Sequence, residues 1–436
     1  MILYILIFSL ALIGLLGHDL RHDAPSRPWK WILWGLTAAI IVMDALRLNT
    51  GLDTWILRCS ILWLPAWEVV KESPDYIAAL RLELLFSLFR PLGHAAACVI
   101  CQGLLSATLN IPLTFFVMRY TRRWYLFFMI YFIGFFTALN FEIVRQGAAI
   151  GMFLWAWKDF EQRRNWMYLL KILAATFFHL SAIPFFLLPF ARMDKVRDTL
   201  INYKFLIPAM AICFIVSFNI QNLAPLAFWA KNAVAEDSYA WWILSRCYLY
   251  LGDYDIPVLN WKGWTGFTLI YLLYPLFVFY IFKKSNFRHY FQVAAALFCI
   301  IGALGIYYEP ASRFNLFLLP VVVVAVTRTL PDRANTFLRF SHPKIPVFLR
   351  EITKSLVWRR AIWFGILAPW AIFHIHNYTL DFAIPFGGHN YDKYYPYTNW
   401  IDGKLDPRQD EMIDYYFKSY DDKKARNRKV LYDFEE

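Results

Sequence analysis

Marked only as apolar or polar, the chain is a succession of long apolar runs separated by short polar gaps. Eleven runs stand out, at about residues 2–17, 31–46, 94–118, 124–140, 143–157, 166–191, 205–224, 266–282, 289–307, 312–327 and 361–377. They approach the ~20 residues an α-helix needs to cross a bilayer, so the pattern predicts membrane helices. No unit of 20 to 50 residues repeats and no low-complexity tract appears, which points to one transmembrane helical domain over residues 1–377. From residue 378 onward the composition turns polar, with YDKYYPYTNW and DDKKARNRK, and residues 378–436 read as a soluble tail.

The polar gaps carry the orientation signal, because short cytoplasmic loops are enriched in Lys and Arg. Loop 18–30 holds Arg21, Arg27 and Lys30; loop 119–123 holds Arg119, Arg122 and Arg123; loop 158–164 holds Lys158, Arg163 and Arg164. These face the cytoplasm and leave the amino terminus outside. The gaps 192–204, 283–288 and 328–360 are equally basic, yet one full crossing at 166–191 would put them on the other side. A broken hairpin at 166–191, turning near His179 and broken at Pro184, restores the parity. The alternative is a basic outer loop that attracts an anionic substrate. The expected fold is thus all-α and polytopic, with 11–12 membrane segments including the re-entrant hairpin. Residues 47–93, with an interfacial helix at LRLELLFSLF, and residues 225–265 form outer loops, 328–360 a cytoplasmic loop, and the tail lies outside.

Composition agrees: 59% of residues are hydrophobic and 17% charged, with a mean hydropathy of +0.41, where soluble domains are about 25% charged. The net charge of +12 sits in clusters beside apolar runs, as orientation signals do, so nucleic acid is not an expected partner. The six cysteines are scattered, and the pair at Cys98 and Cys101 lies in an apolar helix without a second ligand pair. The opening MILYILIFSLALIGLLG lacks a basic start and a small-residue cleavage site, and reads as a retained first span.

Ionisable groups within or at the lip of membrane segments are costly and therefore candidates for function. Glu142, Arg145 and Gln146 in FEIVRQGAAIG share one helical face, beside small residues that let a helix or a lipid come close. A charged helix end explains them equally. His179 stands in an apolar stretch, FFHLSAIP, where a core histidine is the ordinary explanation. Glu309 and Arg313 straddle a helix start at Pro310, as an anchoring pair would. Asp44, Arg47 and Asp53 lie at the end of the second span, where a solvated rim is the plain alternative. Arg47, Arg145 and Arg313 are all predicted at outer lips, with His179 near them. Guanidinium forks bind phosphate bidentately, and a diphosphate engages more than one. No aspartate-rich metal motif, Walker loop or nucleophile elbow is visible, and neither metal nor cofactor is expected.

In this order, RLNTGLD (Arg47, Gly51, Asp53), Glu83 in RLELLFSLF, VRQGAAI, FFHLSAIPFFLLP and ASRFNLFLLP resemble the EpsG branch of the Wzy-type bacterial polysaccharide polymerases, over about residues 1–327. The most specific part is VRQGAAI followed by FFHLSAI. Where the family shows tyrosines after the aspartate, this chain reads GLDTWIL. The resemblance implies transfer of an undecaprenyl-diphosphate-linked glycan onto an incoming lipid-linked repeat unit, at the outer face of the bacterial inner membrane. In that role Arg145 and Arg313 bind the leaving diphosphate, with Arg47 as a further contact. His179 orients the site or assists proton transfer, and Glu142, Asp53 or Glu83 is the base. Gln146 and Glu309 complete the substrate contacts. Membrane lipids, a flippase and a chain-length regulator are the partners that setting implies. A glycan ligase or single-sugar transferase is the near alternative. A flippase of lipid-linked sugars is the remote one, and would be expected to show pseudo-symmetric halves, which are absent from the sequence.

Overall fold

A computed structural model describes residues 2–21, 27–47, 88–235, 238–252, 268–284, 289–306, 308–331 and 346–379. Nearly all of the interfacial helix expected at LRLELLFSLF, residues 332–345 of loop 328–360, and nearly all of the tail lie outside them, as do Asp53 and Glu83. Every element among the described residues is helical. The α-helices are α1 (Ile2–Gly14), α2 (Arg27–Leu46), α3 (His94–Tyr120), α4 (Trp124–Gly134), α5 (Val144–Glu161) and α6 (Asn165–Phe178). They continue as α7 (Asp194–Leu200), α8 (Tyr203–Asn219), α9 (Ala224–Asn232), α10 (Tyr239–Gly252), α11 (Tyr274–Lys284), α12 (His289–Leu304), α13 (Glu309–Arg328), α14 (Val347–Ile352) and α15 (Leu356–Thr379).

Each of the eleven apolar runs coincides with helical structure, but several of those helices are broken where the sequence suggests one continuous span. The run 124–140 stops at Gly134 and resumes as a five-residue π-helical turn, Ala138–Glu142. The run 166–191 is α6 followed by a 3₁₀ stretch, Leu180–Arg192, which carries Pro184 and Pro189. Among the described residues, three helices are long and apolar enough to cross a bilayer: α2, residues Ala96–Tyr120 of α3, and Pro310–Arg328 of α13. The helices α7 and α8, bent 65° to each other, make a fourth if they form one span. Several of the others are shorter, such as α1, α4 and α12 with 13, 11 and 16 residues. The loops at 192–204 and 225–265 also contain helices: α7 in the first, and α9 and α10, packed together, in the second.

Two compact units make up the chain, one of Met1–Phe115, Arg123–Gly151 and Leu367–Glu436, the other of Phe116–Arg122 and Met152–Ile366. In the first, α1 packs on α2 and α4, around a core that includes Leu33, Leu36, Ile40, Tyr125 and Phe127. In the second, α12 packs against α8, α11 and α13, and α6 packs against the 3₁₀ stretch that follows it. Large apolar side chains stay exposed along the helices, among them Phe115, Leu173, Ile212 and Ile215. Apolar surface on this scale suits hydrocarbon rather than water.

Candidate active site

Within the first unit, the sequence expected Asp44 and Arg47 on an outer lip. Both are instead fully buried. Burying these groups inside an apolar protein is costly unless they find polar partners, and α3 supplies them. Ser106 Oγ donates to Asp44 Oδ2 at 2.6 Å. With its amide nitrogen turned toward the end of α2, Gln102 donates to the carbonyls of Asp44, Ala45 and Arg47 at 3.1 Å each. Asn110 Nδ2 donates to Ser106 and, at 2.9 Å, to Asn140 Oδ1. Arg47 donates through Nη1 to the carbonyl of Asn140, and its guanidinium lies 5.2 Å from the centre of the Phe141 ring.

Asn140 and Phe141 belong to the π turn that leads directly into α5. Val144, Arg145 and Gln146 open that helix, with Gln146 buried and Arg145 half-buried. Among the described residues Arg145 makes no hydrogen bond or ion pair. It stands in the first turn, where the helix already carries partial positive charge and unsatisfied N–H groups, a position that favours anions over cations. Glu142 ends the π turn. The small residues after Arg145 bring a helix close: at Gly151 an added Cβ would overlap the carbonyl of Thr108 on α3, and at Gly147 that of Leu139.

Within the second unit, His179 is the point at which the chain reverses. It ends α6 in an extended conformation and caps the 3₁₀ stretch: Nδ1 accepts from the Ser181 N–H at 3.2 Å and lies 2.6 Å from Ser181 Oγ. The two limbs are tied along their length. Tyr168 Oη donates to the carbonyl of Phe185 at 2.7 Å, and at the far end Arg192 donates to Asn165 while stacking 4.4 Å from the Phe160 ring centre. Residues 165–192 therefore form a hairpin with His179 at its tip. Phe185 also joins a cluster with Phe153 of α5 and Phe317 of α13, centroids 4.7–5.7 Å apart, so the return limb packs on the helix that carries Arg313 one turn before Phe317. Arg313 is half-buried, and Glu309 opens α13 with Pro310 beside it.

Arg47 thus meets the turn that leads to Glu142 and Arg145 in one unit, and His179 and Arg313 stand on packed elements of the other. The buried partners Ser106, Asn110, Tyr131 and Asn140 were missed by reading the sequence for charge. Yet Gln102, Ser106, Asn110 and Thr114 recur every four residues, one face of a helix.

A model of the EpsG family matches residues 83–399, well over half of the chain. The chain belongs to the EpsG family. Compared with curated proteins and with solved structures, it shows no significant match to either. The EpsG match takes in Arg145, His179 and Arg313 and begins at Glu83, leaving Arg47 and Asp53 upstream. It also runs through 328–399, beyond the motif likeness, which covers about residues 1–327. Charged motifs mark only part of a membrane protein, whereas apolar helices without motifs still carry family pattern. Membership of EpsG, with these apolar helices, makes this a membrane protein whose family is consistent with polysaccharide-polymerase-type function.

Proposed function

We propose that this EpsG-family protein joins undecaprenyl-diphosphate-linked oligosaccharide repeat units at the outer face of the bacterial inner membrane, with its amino terminus outside. The observation that carries the reading is Arg145: half-buried, without a protein partner among the described residues, and at a helix start where an anion is favoured. In the proposed step the acceptor hydroxyl oxygen bonds to the anomeric carbon of the donor glycan as the bond from that carbon to the diphosphate oxygen breaks. The electron pair leaves with the lipid diphosphate, and the hydroxyl proton passes to a carboxylate, for which Glu142, Asp53 and Glu83 are the candidates. Arg145 and Arg313 are assigned to the developing negative charge on the diphosphate, and Gln146 and Glu309 to substrate contacts.

The cap at Ser181 refines the role of His179. Because Nδ1 accepts from a backbone N–H, the neutral ring carries its proton on Nε2. His179 is then a hydrogen-bond donor to a substrate oxygen rather than the base. Membrane lipids, a flippase and a chain-length regulator remain the proposed partners. Purified protein incubated with lipid-linked repeat units is expected to build longer chains, and Arg145→Ala and His179→Ala to build them ~10²-fold more slowly or worse. Unchanged elongation in both variants would reject the site.

A further inference from the structure

We infer that Arg47 and Asn140 are positioning residues, holding the turn 138–142 in the one shape that leads into α5 and presents Arg145 to substrate; this rests on the active site proposed for Arg145.

Asn140 is held from three sides. Its main-chain carbonyl accepts from Arg47. Its side-chain nitrogen donates to Tyr131 Oη at 2.5 Å and to the carbonyl of Phe136 at 3.0 Å, while its side-chain oxygen accepts from Asn110. A residue so held cannot rotate without breaking several buried hydrogen bonds at once. The π turn makes such an anchor necessary. A helix that breaks at Phe135, resumes over 136–142 with a π turn and halts again at Ile143 releases carbonyls from the regular ladder, and in an apolar surrounding another donor must take them. Arg47 takes one of them. Asp44, one turn earlier, interacts electrostatically with it and is fixed in turn by Ser106. An unbroken polar chain therefore runs from the end of α2, through α3, to the residue two places before Glu142.

An apolar side chain would fill the place of Arg47 at lower cost, so a buried guanidinium there calls for a role that apolar packing cannot fill. Arg47 is fully enclosed, and the carbonyl it grips belongs to the turn. Contact with the diphosphate, the role the family resemblance implies for Arg47, is replaced here by support of the turn that leads to the residues making that contact.

The test uses full-length protein in proteoliposomes. It compares Arg47→Ala, Arg47→Lys, Asn140→Ala and Tyr131→Phe with Arg145→Ala, and the milder two serve if an alanine variant fails to fold. Three quantities are read: binding of undecaprenyl diphosphate, elongation rate at saturating donor, and labelling rate of a cysteine introduced as Ile143→Cys, half-exposed beside the turn. Arg47→Ala and Asn140→Ala are expected to bind the lipid as the unaltered protein does, to lose ~10²-fold in rate as small misplacements do, and to change the labelling several-fold. Arg47→Lys is expected to recover part of the rate, and Arg145→Ala to lose lipid binding with labelling unchanged. Loss of lipid binding in Arg47→Ala to the extent seen in Arg145→Ala would overturn the inference in favour of direct contact. Unaltered rate and labelling in the Arg47 and Asn140 variants would overturn it outright. Should Arg145→Ala elongate normally, the proposed active site fails, and the labelling still decides whether Arg47 sets the turn.

Discussion

Gly151 lies against the carbonyl of Thr108 and the Cα of Leu109, backbone atoms that cannot swing aside as a side chain can. Gly151→Val should therefore force α3 and α5 apart. Overpacking of this kind costs ~1–3 kcal/mol, and thermal unfolding in detergent, followed by tryptophan fluorescence, should show a clear drop in the midpoint. Gly35, exposed on α2 with nothing within 4 Å of an added Cβ, is the control. Gly35→Ala should leave the midpoint unchanged or raise it, since alanine is favoured over glycine in a helix by up to ~1 kcal/mol. The same scale shows what was legible in the sequence. His179, Arg145 and Arg313 stand out because a charge in an apolar run is conspicuous. Asn110 and Asn140 do not, because a neutral amide carries no charge to mark it, and its partner 30 positions away is set by tertiary packing. Arg47 was conspicuous, but its burial depends on the helix that comes to cover it.

Among the elements, the hairpin of α6 and the 3₁₀ stretch is the one whose shape the sequence foretold, from charge parity together with Pro184. The π turn at 138–142 had no such marker, since ALNFE contains neither proline nor glycine. His179 has two duties in the hairpin that can be separated. His179→Asn keeps a side-chain acceptor for the Ser181 N–H, as capping asparagines do, but has nothing in place of Nε2. Its folded yield should match the unaltered protein while elongation falls ~10²-fold. A return of elongation to normal would make His179 a cap and nothing more. The tie between the limbs should be weaker in Tyr168→Phe, which leaves the Phe185 carbonyl unmet and costs ~1–3 kcal/mol.

At the scale of the molecule, the hairpin decides on which side of the membrane the following loops fall. With the sidedness proposed, a cysteine placed at the exposed Lys195 should react with a membrane-impermeant thiol reagent only after cells are opened, and one at the exposed Ala235 in intact spheroplasts. Labelling at position 195 from outside would reject the hairpin topology. The proposed sidedness also sets a depth for the tip of that hairpin. The 14 residues of α6 rise ~1.5 Å each, or about 21 Å. The 13 residues of the 3₁₀ limb rise ~2.0 Å each, or about 26 Å. Both figures fall short of the ~30 Å hydrocarbon slab. On the proposed sidedness, with Asn165 and Arg192 at the inner boundary, His179 would stop several ångströms below the outer headgroups. A sugar tethered to a lipid would have to dip beneath the membrane surface to meet it, into a layer poor in the water that would otherwise hydrolyse the glycosyl bond.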